Sequence, residues 1–210
     1  MPALEQTRVL VLAAGRGRRM GGPKALMLVE DEPWWIRQRR RIAEVGIPMT
    51  WVVSPQVLYA MRPADTGLGV GDLALVDPDR PMFDSLLAGL SACRSRPPAG
   101  VFVLPVDCPA PGPEVWFALG AKNHPAIPTI DGRSGHPVYL PWSFVVSTID
   151  AAVSAPDGRE PPRLDLLVRP VARRVPVLDP SVLINLNHPS DVAGWLECRS
   201  AAARERGHVH

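Results

Sequence analysis

Residues 9–24 read VLVLAAGRGRRMGGPK, a continuous apolar run followed by a loop rich in glycine and arginine. An apolar run that stops at glycines is typical of a strand buried on both faces of a parallel sheet. The glycines let the backbone approach a ligand closely, and successive inward-turned amides form a nest for an anion. Three arginines and Lys24 add positive charge suited to several phosphate groups. The segment therefore predicts a strand that leads into a phosphate-binding loop.

Two common phosphate-binding motifs do not describe this loop. Met20 stands where the dinucleotide pattern GxGxxG needs its third glycine. A Walker A loop is also excluded, because the sequence contains no GK[ST]. Taken alone, the loop fits a basic surface turn as well as it fits a phosphate site.

The rest of the chain alternates strand-like and helix-like segments. Strands are predicted at 50–53, 72–76, 101–104, 126–130, 137–140 and 175–178, and helices at 34–45, 83–93, 113–122, 142–153, 164–168 and 189–199. Asp84 or Ser85 is the expected N-cap of the helix over 83–93. Asp191 is expected to be the N-terminal cap or a first-turn acid of the last helix rather than a metal ligand. This alternation predicts an α/β fold, a Rossmann-like three-layer α/β/α arrangement around a mostly parallel central sheet.

Length, charge and cysteine content limit the class of protein. The 210 residues predict one domain over 1–200 and a C-terminal tail over 201–210. The net charge of +2 gives no reason to expect a nucleic-acid partner, and no apolar run is long enough to span a membrane. The three cysteines form neither a disulfide framework nor a CxxC pair, and the N-terminus lacks the pattern of a signal peptide. We expect a cytoplasmic protein, monomeric or weakly homo-oligomeric, with no nucleic-acid or membrane partner.

Asp107 follows the predicted strand 101–104 and lies between Pro105 and Pro109, which restrict the turn. Burying a carboxylate is costly unless a cation or hydrogen-bond donors meet it. Mg²⁺ needs only one or two protein oxygens and keeps its other positions for water and phosphate. Asp107 is thus a candidate Mg²⁺ ligand, and an Asp that caps the turn is the alternative. In an open α/β sheet it would share the ligand-binding edge with the glycine-rich loop.

The segment 12–24 matches LAAGxGxRMGxxK at every fixed position, and on this basis the chain resembles the MobA-like NTP transferases. That family includes molybdenum-cofactor cytidylyltransferases and guanylyltransferases. Further motifs follow in the family's order, SLLAGL at 85–90, PVDCP at 105–109, GHP at 135–137 and NLNHPSD at 185–191. The last motif departs from the family pattern at His188, where threonine is usual.

The resemblance implies a set of site residues. Arg19 and Lys24 would contact phosphate oxygens and, with Asp107, form the catalytic group, while Asp107 and Asn187 would hold Mg²⁺. His136 would face the acceptor, although a turn histidine bonded to backbone is the alternative. The implied nucleotide-binding residues are Leu12, Ala13, Ala14, Gly15, Arg16, Gly17, Arg19, Lys24, Ser85 and Pro105.

The resemblance also implies a reaction. A nucleoside monophosphate (NMP) unit would pass from a nucleoside triphosphate (NTP) to a small phosphorylated acceptor, with molybdopterin as one candidate, and pyrophosphate would leave. The LAAG form is more typical of relatives that use CTP, and the methyl group of Ala14 narrows the space for a base, so CTP is expected to be favoured over GTP. Two alternatives remain. One is a non-catalytic nucleotide-binding or regulatory protein, which the neutral Asn185 and Asn187 favour, and the other is a sugar-phosphate or alcohol-phosphate nucleotidyltransferase.

Overall fold

The computed structural model describes residues 4–61, 72–154 and 163–196. The expectations of a flexible glycine-rich turn over 67–71, of the end of the last helix and of a C-terminal tail lie outside the described residues. Within these ranges no helix is both long enough and apolar enough to cross a membrane.

The strands follow the predicted apolar runs, with short additional strands between them. They are β1 (Thr7–Ala13), β2 (Leu28–Val29), β3 (Glu32–Pro33), β4 (Met49–Val53), β5 (Leu73–Leu75), β6 (Gly100–Pro105), β7 (Ala126–Ile130), β8 (Arg133–Ser134), β9 (Val138–Pro141) and β10 (Arg173–Pro176).

The helices occupy connections between the strands, except for α8, which follows the last strand. They are α1 (Trp34–Ala43), α2 (Pro55–Met61), α3 (Met82–Ala92), α4 (Pro113–Gly120), α5 (Trp142–Phe144), α6 (Asp150–Val153), α7 (Leu164–Val168) and α8 (residues 189–196). A π-helical stretch over Val145–Ile149 joins α5 to α6, so 142–153 is one continuous helical segment, as predicted.

The central sheet has the order β10-β7-β9-β6-β1-β4-β5, with β8 paired to β7. β1 runs parallel to β4 and β6, β4 to β5, and β7 to β10, whereas β9 is antiparallel to both of its neighbours. The segment 131–137 between β7 and β9 explains this exception, because a parallel crossover needs about a dozen residues or more. The mostly parallel sheet is confirmed.

Alternate residues of β1 point to two separate cores, because successive side chains of a strand face opposite sides of the sheet. Val9, Val11 and Ala13 pack in one cluster with residues of α1, α2, α4 and α8. Leu10 and Leu12 pack in the other with residues of α3, α7 and the helical segment 142–153. Helices therefore cover both faces, and the three-layer α/β/α arrangement is confirmed.

Two details of the secondary structure differ from expectation. α3 begins at Met82, one residue earlier than predicted, and Pro81 precedes it, so neither Asp84 nor Ser85 is the N-cap. α2 was not predicted, because Ser54-Pro55 reads as the end of a strand. Proline also suits the first turn of a helix, where its missing N–H costs nothing, and α2 begins at Pro55.

Candidate functional site

The glycine-rich loop lies at the carboxyl end of β1, and its shape depends on Gly17. This residue has a φ of 58°, and a Cβ there would lie 1.9 Å from the carbonyl oxygen of Gly22. The carbonyl oxygen of Gly17 accepts from the backbone N–H groups of Met20 at 2.8 Å and Gly22 at 3.3 Å. Only glycine fits at position 17, so the loop closes on itself as a compact turn.

The end of β6 lies beside this loop. β1 and β6 are parallel, with Leu12 opposite Pro105, and the N–H of Val106 donates to the carbonyl oxygen of Leu12 at 3.0 Å. Asp107 follows directly. The predicted meeting of Asp107 and the glycine-rich loop at one edge of the sheet is therefore found.

Two buried side chains of α1 hold the loop that carries Asp107. The indole N–H of Trp34 donates to the carbonyl oxygen of Val106 at 2.6 Å. Gln38 donates from Nε2 to the carbonyl oxygen of Cys108 at 2.6 Å, and its Oε1 accepts from the N–H of Ala110 at 2.7 Å. Sequence reasoning missed both residues. The signal was the polar Gln38 on the buried stripe of an amphipathic helix.

The basic run at 37–41 predicts, from the sequence alone, a solvated outer face of the helix over 34–45, and the structure differs from this prediction. Arg37 is only 16% exposed and pairs with Glu30 and Glu32. Arg41 donates from Nε to the carbonyl oxygen of Ala110 at 2.6 Å. Part of the run therefore anchors the chain around α1, including the loop after Asp107.

Lys24, Asp107 and Asn187 meet at the mouth of the glycine-rich loop. The ammonium nitrogen Nζ of Lys24 donates to Oδ2 of Asp107 at 2.8 Å and to Oδ1 of Asn187 at 2.7 Å. The resemblance had assigned Lys24 to phosphate and the other two to a metal, without predicting contact between them. The structure thus brings three of the proposed site residues together from distant parts of the chain.

The segment that carries Asn187 is held by backbone hydrogen bonds to Asp107 and to the side chain of Asp191. The N–H of Leu186 donates to the carbonyl oxygen of Asp107 at 2.8 Å, which ties the two loops together. Oδ2 of Asp191 accepts from the N–H groups of Asn187 and His188, each at 2.8 Å. These two bonds hold the pKa of Asp191 below its ordinary value. Asp191 thus lies in the first turn of α8 and accepts from the backbone N–H groups that precede the helix, which is one of the two predicted roles.

A cavity of about 310 Å³ opens beside the loop. Most of the implied nucleotide-binding residues line it, namely Leu12, Ala14, Gly15, Gly17, Lys24, Ser85 and Pro105, together with Asp107. Sequence reasoning missed further lining residues, which are Asp77, Pro78 and Arg80 from the segment between β5 and α3, and Met82 at the start of α3. The dense polar run DPDR at 77–80, just before the SLLAGL helix, was their signal.

Three implied nucleotide-binding residues lie outside this lining. Ala13 is 1% exposed and its side chain packs in the core. Arg16 is ion-paired with Asp79, across the loop. Arg19 is exposed, and among residues 4–61, 72–154 and 163–196 its side chain has no hydrogen-bond or ion-pair partner. Their assigned roles remain predictions.

His136 lies in a tight turn close to Asp107. Its N–H donates to the carbonyl oxygen of Val182 at 2.8 Å, while the buried ring atom Nδ1 has no hydrogen-bond partner in the described chain. Burial lowers the pKa of His136, and the negative charge of Asp107 partly opposes this effect. The imidazole is therefore neutral near pH 7 and electrostatically coupled to the cluster.

Cys108 sits behind Asp107 and is not a nucleophile candidate. Its Sγ donates to Oδ1 of Asn185 at 3.1 Å. Burial, followed by the charge of Asp107, raises the pKa of the Cys108 thiol far above its usual range. The thiol stays protonated and serves as a hydrogen-bond donor to Asn185.

The oxygens of Asp107 and Asn187 fit a hard divalent cation such as Mg²⁺, because both already converge on one positive group. Within the described residues no group of three or more His, Cys, Asp or Glu side chains could hold a metal. A cation at this position would thus take its other ligands from water and phosphate, as Mg²⁺ usually does.

The chain is similar to known proteins over most of its length. Residues 9–163 match the family model described as MobA-like NTP transferase domain. The chain is 30% identical over 198 residues to a molybdenum cofactor guanylyltransferase from Cereibacter sphaeroides, a match that covers 88% of this chain and 92% of the relative.

Solved structures share the fold. A 4-diphosphocytidyl-2C-methyl-D-erythritol synthase from Anaerococcus prevotii is similar with a TM-score of 0.69 and 13% identity, over 93% of this chain and 100% of that one. A nucleotidyl transferase from Methanothermobacter thermautotroptrophicus is similar with a TM-score of 0.65 and 21% identity, over 95% and 98% of the two chains. The chain belongs to the MobA-like NTP transferase family and is a nucleotidyltransferase.

Proposed function

We propose that the protein transfers an NMP unit from a Mg²⁺-bound NTP to a small phosphorylated acceptor and releases pyrophosphate. The observation that carries this proposal is the convergence of Lys24, Asp107 and Asn187 beside the cavity of the glycine-rich loop. The ammonium of Lys24 could then contact the phosphates of a bound triphosphate, and the oxygens of Asp107 and Asn187 could hold its metal ion. In-line displacement at a phosphorus atom depends on such positioning and on neutralisation of phosphate charge.

Each group has a defined task in this reaction. Lys24 and the loop amides would hold the β- and γ-phosphates. Asp107 and Asn187 would hold Mg²⁺, which when bound would neutralise part of the phosphate charge. An acceptor phosphate oxygen forms the new bond to the α-phosphorus, and the bond from that phosphorus to the bridging oxygen of pyrophosphate breaks. No general base is needed, because a phosphate monoester is largely ionised near pH 7.

GTP is the donor that we favour. The relative from Cereibacter sphaeroides is named a guanylyltransferase, which does not support the preference for CTP inferred from Ala14. Asp77 lines the cavity, and a carboxylate there offers two acceptor oxygens to the neighbouring N1–H and N2–H groups of guanine. The methyl group of Ala14 also lines the cavity, and steric exclusion by one methyl group gives only modest discrimination.

The acceptor that we favour is the phosphate of the molybdenum cofactor, after the name of that relative. His136 supports an acceptor site beside Asp107, because its buried ring atom Nδ1 has no hydrogen-bond partner among the described residues and is available to a ligand. A neutral imidazole donates one hydrogen bond without adding charge, which suits orientation of an acceptor.

The test compares GTP with CTP, each with Mg²⁺, by thermal shift and calorimetry, and then measures pyrophosphate release with molybdenum cofactor as acceptor. GTP should bind roughly tenfold or more tightly than CTP. Asp77→Ala should reduce the affinity for GTP more than that for CTP, and Ala14→Gly should raise the affinity for GTP. A preference for CTP in the unmodified protein would overturn the base assignment alone. If neither nucleotide binds, the proposed function itself is wrong.

A further inference from the structure

The ammonium group of Lys24 lies between two oxygens that the proposed function assigns to Mg²⁺. Nζ is 2.8 Å from Oδ2 of Asp107 and 2.7 Å from Oδ1 of Asn187. The side chains of Lys24 and Asp107 are 17% and 24% exposed, so solvent screens this pair less than a surface pair.

A divalent cation and this ammonium compete for the same oxygens. While Lys24 donates to both, a metal ion would have to approach a positive charge and share ligands with it, which is electrostatically unfavourable. The carboxylate is also already neutralised by Lys24, so it attracts a second cation less strongly. The described residues contain no other cation bonded to the Asp107 carboxylate.

Bound phosphates change this balance. The loop that carries Lys24 turns at Gly17 toward the same cavity, where Gly15 and Gly17 lie in the lining with Lys24 and Asp107. A triphosphate there offers Lys24 several negatively charged oxygens, so the ammonium can leave Asp107 without losing its ionic partners.

We propose that Lys24 is a built-in counter-ion, which occupies the metal-binding oxygens of Asp107 and Asn187 until the phosphates of an NTP draw it away. This inference rests on the proposed function. Its consequence is that metal and nucleotide bind with positive coupling. The nucleotide removes the ammonium that repels the metal, and the metal compensates the carboxylate that the ammonium leaves.

The experiment measures Mn²⁺ binding to the nucleotide-free protein by electron paramagnetic resonance, with Mn²⁺ as the probe for Mg²⁺. Lys24→Met removes the ammonium and keeps a side chain of similar length. It should bind Mn²⁺ roughly tenfold or more tightly than the unmodified protein. Arg19→Met is the matched control, because Arg19 is a positive residue of the same loop but does not contact Asp107. This variant should gain far less Mn²⁺ affinity. Lys24→Gln is the second variant if Lys24→Met fails to fold in a melting test.

The double variant Lys24→Met with Asp107→Asn tests whether the bound Mn²⁺ lies at Asp107. It should lose the increase in Mn²⁺ affinity that Lys24→Met produces. Two results would overturn the inference. One is that Lys24→Met and the unmodified protein bind Mn²⁺ with equal affinity. The other is that the double variant keeps the higher Mn²⁺ affinity of Lys24→Met. Either result, together with intact Mg²⁺-dependent NTP binding by the unmodified protein, would leave the proposed function standing. Failure of the unmodified protein to bind any NTP with Mg²⁺ would instead contradict the proposed function.

Discussion

Gln38, which is fully buried in α1, donates from Nε2 to the carbonyl oxygen of Cys108 at 2.6 Å. The same side chain accepts from the N–H of Ala110. One glutamine therefore holds both sides of the turn that follows Asp107, and the position of the candidate metal ligand depends on a side chain from a different layer of the fold.

Gln38→Leu should destabilise the protein and weaken Mg²⁺-dependent NTP binding. The substitution leaves the Cys108 carbonyl and the Ala110 N–H buried without these partners, at a cost of about 1–3 kcal/mol for each group. Urea denaturation measures the loss of unfolding free energy. Gln56→Leu, on the exposed side of α2, is the matched control and should change stability by less than about 0.5 kcal/mol. Equal stabilities of the two variants would contradict the assigned role of Gln38.

Gly17→Ala should abolish tight NTP binding, whereas Gly22→Ala should retain it. A Cβ at Gly17 meets the Gly22 carbonyl oxygen at 1.9 Å and the φ is 58°, so the loop must open. A Cβ at Gly22 meets nothing within 4 Å, and its φ lies outside the left-handed region. Calorimetry with GTP and Mg²⁺ separates the two variants. Full affinity in Gly17→Ala would show that the loop does not bind the nucleotide.

Lys24→Ala and Arg19→Ala should each weaken NTP binding by about 1.5–3 kcal/mol, the range for hydrogen bonds to charged groups. Lys24 lines the cavity, whereas Arg19 is exposed at the loop and must move to reach a phosphate. Arg96→Ala, in the connection that leads into the amino end of β6, is the control and should bind as the unmodified protein does. Unchanged affinities in both loop variants would rule out the assignment of these side chains to the triphosphate.

The stability of the protein should fall as the pH drops below 6.5, in part because of His136. Burial holds the pKa of this side chain below its ordinary value of 6.5, so the unfolded chain takes up a proton there before the folded one does. The stabilising contribution is complete above pH 6.5 and decreases as the pH falls toward the folded-state pKa. Melting temperatures from pH 8 to pH 5 should show a shallower decline for His136→Gln. Parallel curves would mean that the folded protein does not hold this imidazole neutral.

Much of the fold could be predicted because each major strand carries its own apolar run. The continuous apolar run over 9–13 indicates a strand with two buried faces, and the glycines after it mark the binding edge. The reversed direction of β9 could not be predicted in this way, because its apolar run alone carries no information about the direction of the neighbouring strand. The short connection between β7 and β9 was the available signal, because it is too short for a parallel crossover.

The candidate site was predictable where a local motif carries it and not where distant residues meet. Gly17, Lys24 and Asp107 each stand in a recognisable local pattern. The hydrogen bonds of Lys24 to Asp107 and Asn187 join positions 83 and 163 residues apart, and no local pattern encodes such contacts. Gln38 was missed for the same reason, since its partners are backbone groups about 70 residues away.

The most direct test of the account is pyrophosphate release from GTP, with Mg²⁺ and molybdenum cofactor, by the unmodified protein and by Asp107→Asn. The variant keeps the size of the side chain and removes the charge of the proposed metal ligand. We predict Mg²⁺-dependent release of pyrophosphate by the unmodified protein, and loss of that activity in a variant that still melts cooperatively. Turnover by Asp107→Asn at the unmodified rate would contradict the account and place the metal elsewhere.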